Sequence, residues 1–323
     1  MKYLSRMILL LPAAFVCLAG RPAAQDSLKI YLELGGKAIQ NSKYDRAIEV
    51  YTRVLQLDSA NYEAISNLGV AYASLGNYAR ARGCLEQALR RNPGDAQAAN
   101  NLGTVFSNEN DRTAAIEYFE KAVGLAPKNA LFLTNLGREY ARDGQVGKAL
   151  PVLREALVLA PDNPLIPYSL GSAFASAGSL DSAEVYFERS LAKGGTGVEL
   201  HYFLGTVKDR LGKKDEAVNH YKSALEMEPD HLNCLQSLGL IYLSQDRFPE
   251  AIEQFRRVIA VDSTQWAGWI GLGASYSLYR MIPQADSILG RLFQADSAIG
   301  FQMLDFIGQQ HRLRRDSTGS KTR

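Results

Sequence analysis

The chain has 323 residues, with 36 basic side chains against 34 acidic ones, a net charge of +2 and three cysteines. Charges of both signs are mixed along it, so it carries no electrostatic footprint for nucleic acid. Three cysteines are also too few to frame a disulfide-stapled fold.

At the start, Lys2 and Arg6 precede an apolar run, Met7 to Ala19, followed by small residues up to Ala24. This is the layout of a secretory signal peptide over residues 1–24, with Ala19 and Ala24 as alternative cleavage points. The run contains Pro12 and is about 13 residues long, whereas a spanning helix needs roughly 20, which disfavours a retained anchor. Lipidation at Cys17 would want Leu three places earlier and a small residue just before it. Ala14 and Val16 stand there instead. The leader holds Lys2, Arg6 and Arg21 and no acid, so removing it takes the net charge from +2 to −1 in a chain beginning at Gln25. Export to a bacterial periplasm or envelope is the expected location, and envelope association is left open.

Downstream of the leader, Leu-Gly pairs fall at Leu34-Gly35, Leu68-Gly69, Leu102-Gly103, Leu136-Gly137, Leu170-Gly171, Leu204-Gly205, Leu238-Gly239 and Leu272-Gly273, each 34 residues after the last. Twelve residues beyond each glycine stands an alanine: Ala47, Ala81, Ala115, Ala149, Ala183, Ala217, Ala251 and Ala285. Within one period, such as Ala96 to Asn129, two short amphipathic helices can be read, joined by a turn at Glu109-Asn110 and closed by Pro127. Gly and Ala at the inner crossing let the two backbones approach to roughly 8–10 Å. Tyr51, Leu85, Phe119, Leu153, Phe187, Tyr221, Phe255 and Leu289 are expected to fill the space beside them. Gly76, Asn110, Gly144, Gly178 and Gly212 lie where the first helix ends, a place that favours left-handed backbone. Asp45, Thr113, Asp181 and Asp215 follow and are expected to cap the second helix. One hairpin cannot bury its apolar face alone, so neighbours must stack.

This 34-residue unit, with its Leu, Gly, Tyr, Ala, Phe and Pro positions, resembles the tetratricopeptide repeat. The resemblance runs from Leu28 to Ile299 in eight repeats: 28–61, 62–95, 96–129, 130–163, 164–197, 198–231, 232–265 and 266–299. It implies an all-α fold, a right-handed superhelical solenoid, with the first helices lining its concave side. A capping helix is expected over 300–316 and a disordered tail over 317–323.

Repeat five departs from the pattern. It opens with Pro164 and Pro167, and Lys193-Gly194-Gly195-Thr196-Gly197 replaces its closing Pro. The glycines lack the Gly-Lys-Ser/Thr of a phosphate loop. They predict a looser connection, or a hinge between repeats one to five and six to eight. The next repeat carries Lys208 where an aromatic is expected. His201, His220, His231 and His311 are scattered without metal-ligand spacing, so packing or surface roles are expected and no metal or cofactor. Nor is there a Gly-x-Ser-x-Gly nucleophile turn, so no enzyme activity is expected.

Function is then expected on a surface. The resemblance implies that residues just before each Leu-Gly pair project into a peptide-binding groove: Asn67, Asn101 and Asn135, then Ser169. An Asn column can hydrogen-bond peptide backbone, each amide supplying two donors and an acceptor. It is similar to the asparagine ladder in the repeats of the O-linked N-acetylglucosamine transferases. Thr104, Asn108, Arg138, Arg142, Ser172 and Arg210 should surround it. Arg138 and Arg142 are four apart, hence on one helical face, and could hold an acidic group. The expected partner is a protein or peptide lying extended or helical in that groove. The alternative is a structural or assembly subunit of a bacterial envelope, secretion or pilus complex. Oligomeric state is left open.

Overall fold

The computed structural model describes residues 21–319. The leader's apolar run and residues 320–323 lie outside the described residues; of the tail expected over 317–323, residues 317–319 instead continue the last helix. The described residues form 17 helices and no strand.

The chain divides into two compact units, one up to Pro161 and one from Asp162. In the first unit α1 (Arg21–Gln40) pairs with α2 (Tyr44–Leu57), α3 (Tyr62–Ser74) with α4 (Tyr78–Arg91), α5 (Ala96–Asn108) with α6 (Arg112–Leu125), and α7 (Ala130–Arg142) with α8 (Val146–Leu159). In the second, α9 (Leu165–Ser176) pairs with α10 (Leu180–Ala192), α11 (Val198–Arg210) with α12 (Lys214–Met227), α13 (Leu232–Ser244) with α14 (Phe248–Val261), and α15 (Trp266–Leu278) with α16 (Ile282–Ala295). A last helix, α17 (Ser297–Gly319), packs on α15 and α16. The architecture is an all-α repeat solenoid. The division falls at Pro161, so the glycine-rich connection 193–197, where a hinge was expected, lies inside the second unit.

Each hairpin is held by one apolar face per helix. In α2, Ala47, Val50, Tyr51 and Val54 are buried, a spacing that puts all four on one side. Full burial of a side chain such as Val54 contributes roughly 1.5–3 kcal/mol. The repeat glycines set the closeness of the pair. A Cβ added at Gly35, Gly69, Gly103, Gly137, Gly171, Gly205 or Gly239 would lie 2.5–2.9 Å from Tyr51, Leu85, Phe119, Leu153, Phe187, Tyr221 or Phe255 respectively. The last repeat differs: Gly273 meets Met303 of α17 and Ile288, so the terminal helix supplies the filling side chain.

All eight turns place a left-handed residue at the same register. Besides Gly76, Asn110, Gly144, Gly178 and Gly212, these are Ser42, Asp246 and Arg280, which are not glycine. The capping expectation is corrected. The second helices start one residue before Asp45, Thr113, Asp181 and Asp215, so those residues sit inside the first turn, two places past the cap. The caps with side-chain bonds are Asn77, accepting from Arg80 N at 3.3 Å, and Asp111, accepting from Ala114 N at 3.1 Å. Asn61, Asp95 and Asn129 cap the first helices in the same way.

Within each unit the first helices of successive repeats also pack on one another: α1 on α3, α3 on α5, α5 on α7, and α9 on α11, α11 on α13, α13 on α15. No comparable packing joins second helices among the described residues. First helices therefore approach more closely, and each row turns toward them.

Candidate functional site

In the first unit this row carries Asn67, Asn101 and Asn135 on neighbouring helices, all half-buried. The amides of Asn101 and Asn135 are engaged with the protein itself. Asn135 Nδ2 donates to Asn100 Oδ1 of the preceding repeat at 2.9 Å, and Asn100 is only 3% exposed. Asn101 Oδ1 accepts from Gln97 Nε2, one turn earlier, at 2.9 Å. Asn67 lies beside the buried Tyr51 hydroxyl without completing a hydrogen bond to it. Burial, reinforced by Glu63, pushes that phenol up to about 12, and Asn67 partly offsets the effect. Asn135 therefore braces adjacent repeats, while Asn101 is held within its own helix.

Thr104, Asn108, Arg138 and Arg142 are exposed on the same helices. Thr104 Oγ1 donates to the Asn100 carbonyl at 3.1 Å. Arg142 is not a free cation: its Nη1 lies 2.9 Å from Ser107 Oγ and 3.3 Å from Glu139 Oε2. Ser107 Oγ in turn donates to the same Glu139 oxygen at 2.7 Å. Glu139 is 3% exposed, and its other oxygen, Oε1, is buried without a hydrogen-bond partner. Part of the Arg142 charge is thus spent inside, leaving Arg138 as the more available of the two. Glu139 between two arginines reads as a solvated residue; only the packing of α7 against α5 shows that it is buried.

In the second unit Ser169 does not reach the surface. It is 2% exposed, and its Oγ donates to the Leu165 carbonyl at 2.7 Å. Being small, it fits where α9 is packed on its inner side. Ser172 is half-buried and Arg210 exposed at the end of α11. Sequence reasoning placed all three on one groove; the structure leaves only the latter two accessible.

Two clusters in this unit were not assembled from sequence. Lys208, 2% exposed, sets its Nζ 2.7 Å from Glu184 Oε1, 2.8 Å from Glu188 Oε1 and 2.7 Å from Glu216 Oε2. Lys213 Nζ also contacts Glu184, at 2.7 Å. Burial opposes the Lys208 charge, but the three carboxylates override it and hold its pKa above the ordinary value. Burial likewise acts to raise Glu184, and bonds from Lys208 and Lys213 win, leaving it lowered. The second cluster joins His201 of α11 and His220 of α12, with Nδ1 atoms 3.1 Å apart.

A cleft of about 450 Å³ opens beside the glycine-rich connection, lined by Leu165, Tyr168, Thr196 and Glu199 among others. Gly195 is required there: a Cβ would meet Ser190 Oγ at 2.6 Å and its carbonyl at 2.7 Å.

Family models described as "Tetratricopeptide repeat" match residues 38–102, 96–129, 134–197 and 203–265. A comparison with curated proteins gives no match. Among solved structures, the APC/C hetero-tetramer Cut9-Hcn1 aligns with a TM-score of 0.64 at 16% identity, covering 76% of this chain and 52% of that one. This chain thus spans about half the length of that relative. A tetratricopeptide repeat protein from Parabacteroides merdae aligns with a TM-score of 0.60 at 15% identity, covering 77% and 99%. PilW, described as a widely conserved type IV pilus biogenesis factor, aligns with a TM-score of 0.58 at 23% identity, covering 62% and 94%. At these identities the likeness is one of fold.

Proposed function

The chain belongs to the tetratricopeptide repeat family, and from that premise we propose that it is an exported scaffold for protein–protein interaction. It takes an extended peptide or a helix of its partner along the row of first helices. The observation that carries this reading is the packing of first helix on first helix, which brings equivalent residues of successive repeats side by side. Asn67, Asn101 and Asn135 then form one polar track within the first unit, and Arg138 stands beside it for an acidic group. Many modest backbone contacts with a few charge-assisted ones suit an extended partner. In the second unit Ser172 and Arg210 are the accessible members of the equivalent track. Export rests on the leader layout at residues 1–24; among the described residues no helix is long and apolar enough to cross a membrane.

The experiment is a pull-down from envelope extracts with the mature chain and with its Asn67/Asn101/Asn135 triple alanine variant. The variant is expected to lose the partner bands while keeping its helical circular dichroism. Unchanged bands would move the binding surface elsewhere. Intact mass on the exported chain should show loss of the leader after Ala19 or Ala24. A second reading, an assembly or structural subunit of an envelope, secretion or pilus machine, draws on the fold shared with PilW. Under that reading the same variant keeps its partners.

A further inference from the structure

We propose that His201 and His220 are a chelating pair for a divalent transition cation of the zinc class. They sit on the two helices of one hairpin, α11 and α12, both half-buried, and no part of the proposed peptide track uses them. Their Nδ1 atoms are 3.1 Å apart, with ring centroids 5.4 Å apart and ring planes 37° from parallel.

Two neutral imidazoles facing in this way have two arrangements. In one, a ring donates its Nδ1–H to the lone pair of the other. In the other, both rings carry the proton on Nε2, and two Nδ1 lone pairs converge on a shared electrophile. Moving between them needs only a tautomer shift and a turn of each ring about its Cβ–Cγ bond, which places the ion to one side of the N···N line. At Zn–N distances of ~2.0–2.1 Å, two nitrogens this far apart subtend roughly 100° at the metal, near the tetrahedral angle. Burial lowers the pKa of both rings, so the lone pairs are not held by protons near neutral pH.

The surrounding charges admit a cation. Glu226 acts on His201, and Glu188 and Glu216 act on His220. Lys208 opposes them at His220, but its ammonium is already bonded to Glu184, Glu188 and Glu216. Those three carboxylates could otherwise gather round a cation, and the Lys208 ammonium occupies that place. Imidazole nitrogens favour Zn²⁺, Cu²⁺ and Ni²⁺ over Mg²⁺ and Ca²⁺. With two protein ligands the remaining positions go to water, or to a side chain of a bound protein.

The test is calorimetric titration of the untagged mature chain with ZnCl₂ at pH 7.5. Binding of about one equivalent is expected, weakened at least about tenfold in His201→Asn and in His220→Asn and unchanged in His311→Asn. Circular dichroism checks that each variant is folded. Imidazole ¹⁵N spectra of the unsubstituted chain supply a readout that needs no variant: zinc should move both rings to the Nε2–H tautomer. Absence of binding, an affinity in either variant equal to that of the unsubstituted chain, or zinc binding that leaves either Nδ1 protonated would overturn the proposal.

Discussion

Lys208 occupies the register at which earlier repeats carry Tyr72, Phe106, Tyr140 and Phe174. Its oddity is visible in the sequence; its partners are not, because Glu184 comes from the preceding repeat and Glu216 from the facing helix. Buried at 2% exposure, it is held only because its carboxylates repay the desolvation. Its raised pKa means that its stabilising effect is complete below the unfolded value of about 10.4 and is lost as pH rises through the higher folded value. Glu184, lowered in the fold, contributes above its unfolded value of about 4.3 and stops contributing as pH falls through the lower folded one. The cluster is therefore whole between those limits. Lys208→Met should destabilise the second unit by about 2–3 kcal/mol in urea unfolding at pH 7, below the full cost of orphaning a buried charge because Glu188 and Glu216 are 52% and 56% exposed. Adding Glu184→Gln should recover a good part of the loss. An additive double variant would mean that the pair is not coupled.

At the scale of the hairpin, the sequence was legible because one requirement repeats. Gly and Ala at fixed phase are needed for close backbones, and the contacts of Gly35 through Gly239 follow that phase. Where the local chemistry is not unique, legibility ends. A left-handed turn residue is conspicuous as glycine but not as Ser42, Asp246 or Arg280, which tolerate the same backbone at a cost. Capping was misplaced by two residues because Asp and Thr suit a helix's first turn as well as its cap. Two otherwise identical substitutions differ by their phase in the repeat. Gly83→Ala, in the middle of α4 with nothing within 4 Å of the added Cβ, should stabilise by about 0.5–1 kcal/mol. Gly137→Ala sets its Cβ 2.5 Å from Cγ of fully buried Leu153, a branch atom that cannot swing aside alone. Overpacking of about 1–3 kcal/mol should there outweigh the gain in helix propensity. Denaturant midpoints moving the same way for both would remove the close-approach account.

Across the whole molecule, the repeat's periodicity tells which side of a helix packs on its neighbours, but not which polar groups the fold keeps for itself. Asn135, at a groove position by its register, is bonded to Asn100; Ser169, at the equivalent position, is inside. The Asn135 bond comes from one repeat away, which is also how stability should be distributed. In a stack of hairpins each unit is supported by its neighbours alone. The end of the row makes the sharpest case, since Met303 of α17 is 1% exposed and fills the space at Gly273 that a residue of the second helix fills elsewhere. Met303→Ala should cost about 2–4 kcal/mol by leaving a cavity. The cost should be local: amide hydrogen exchange in α15, α16 and α17 should accelerate, with no change in α3 to α6. If exchange rises evenly along the chain, the repeats unfold as one cooperative body. The nearest-neighbour picture would then have to be given up, together with the expectation that substitutions on the Asn track act on binding without loosening the rest.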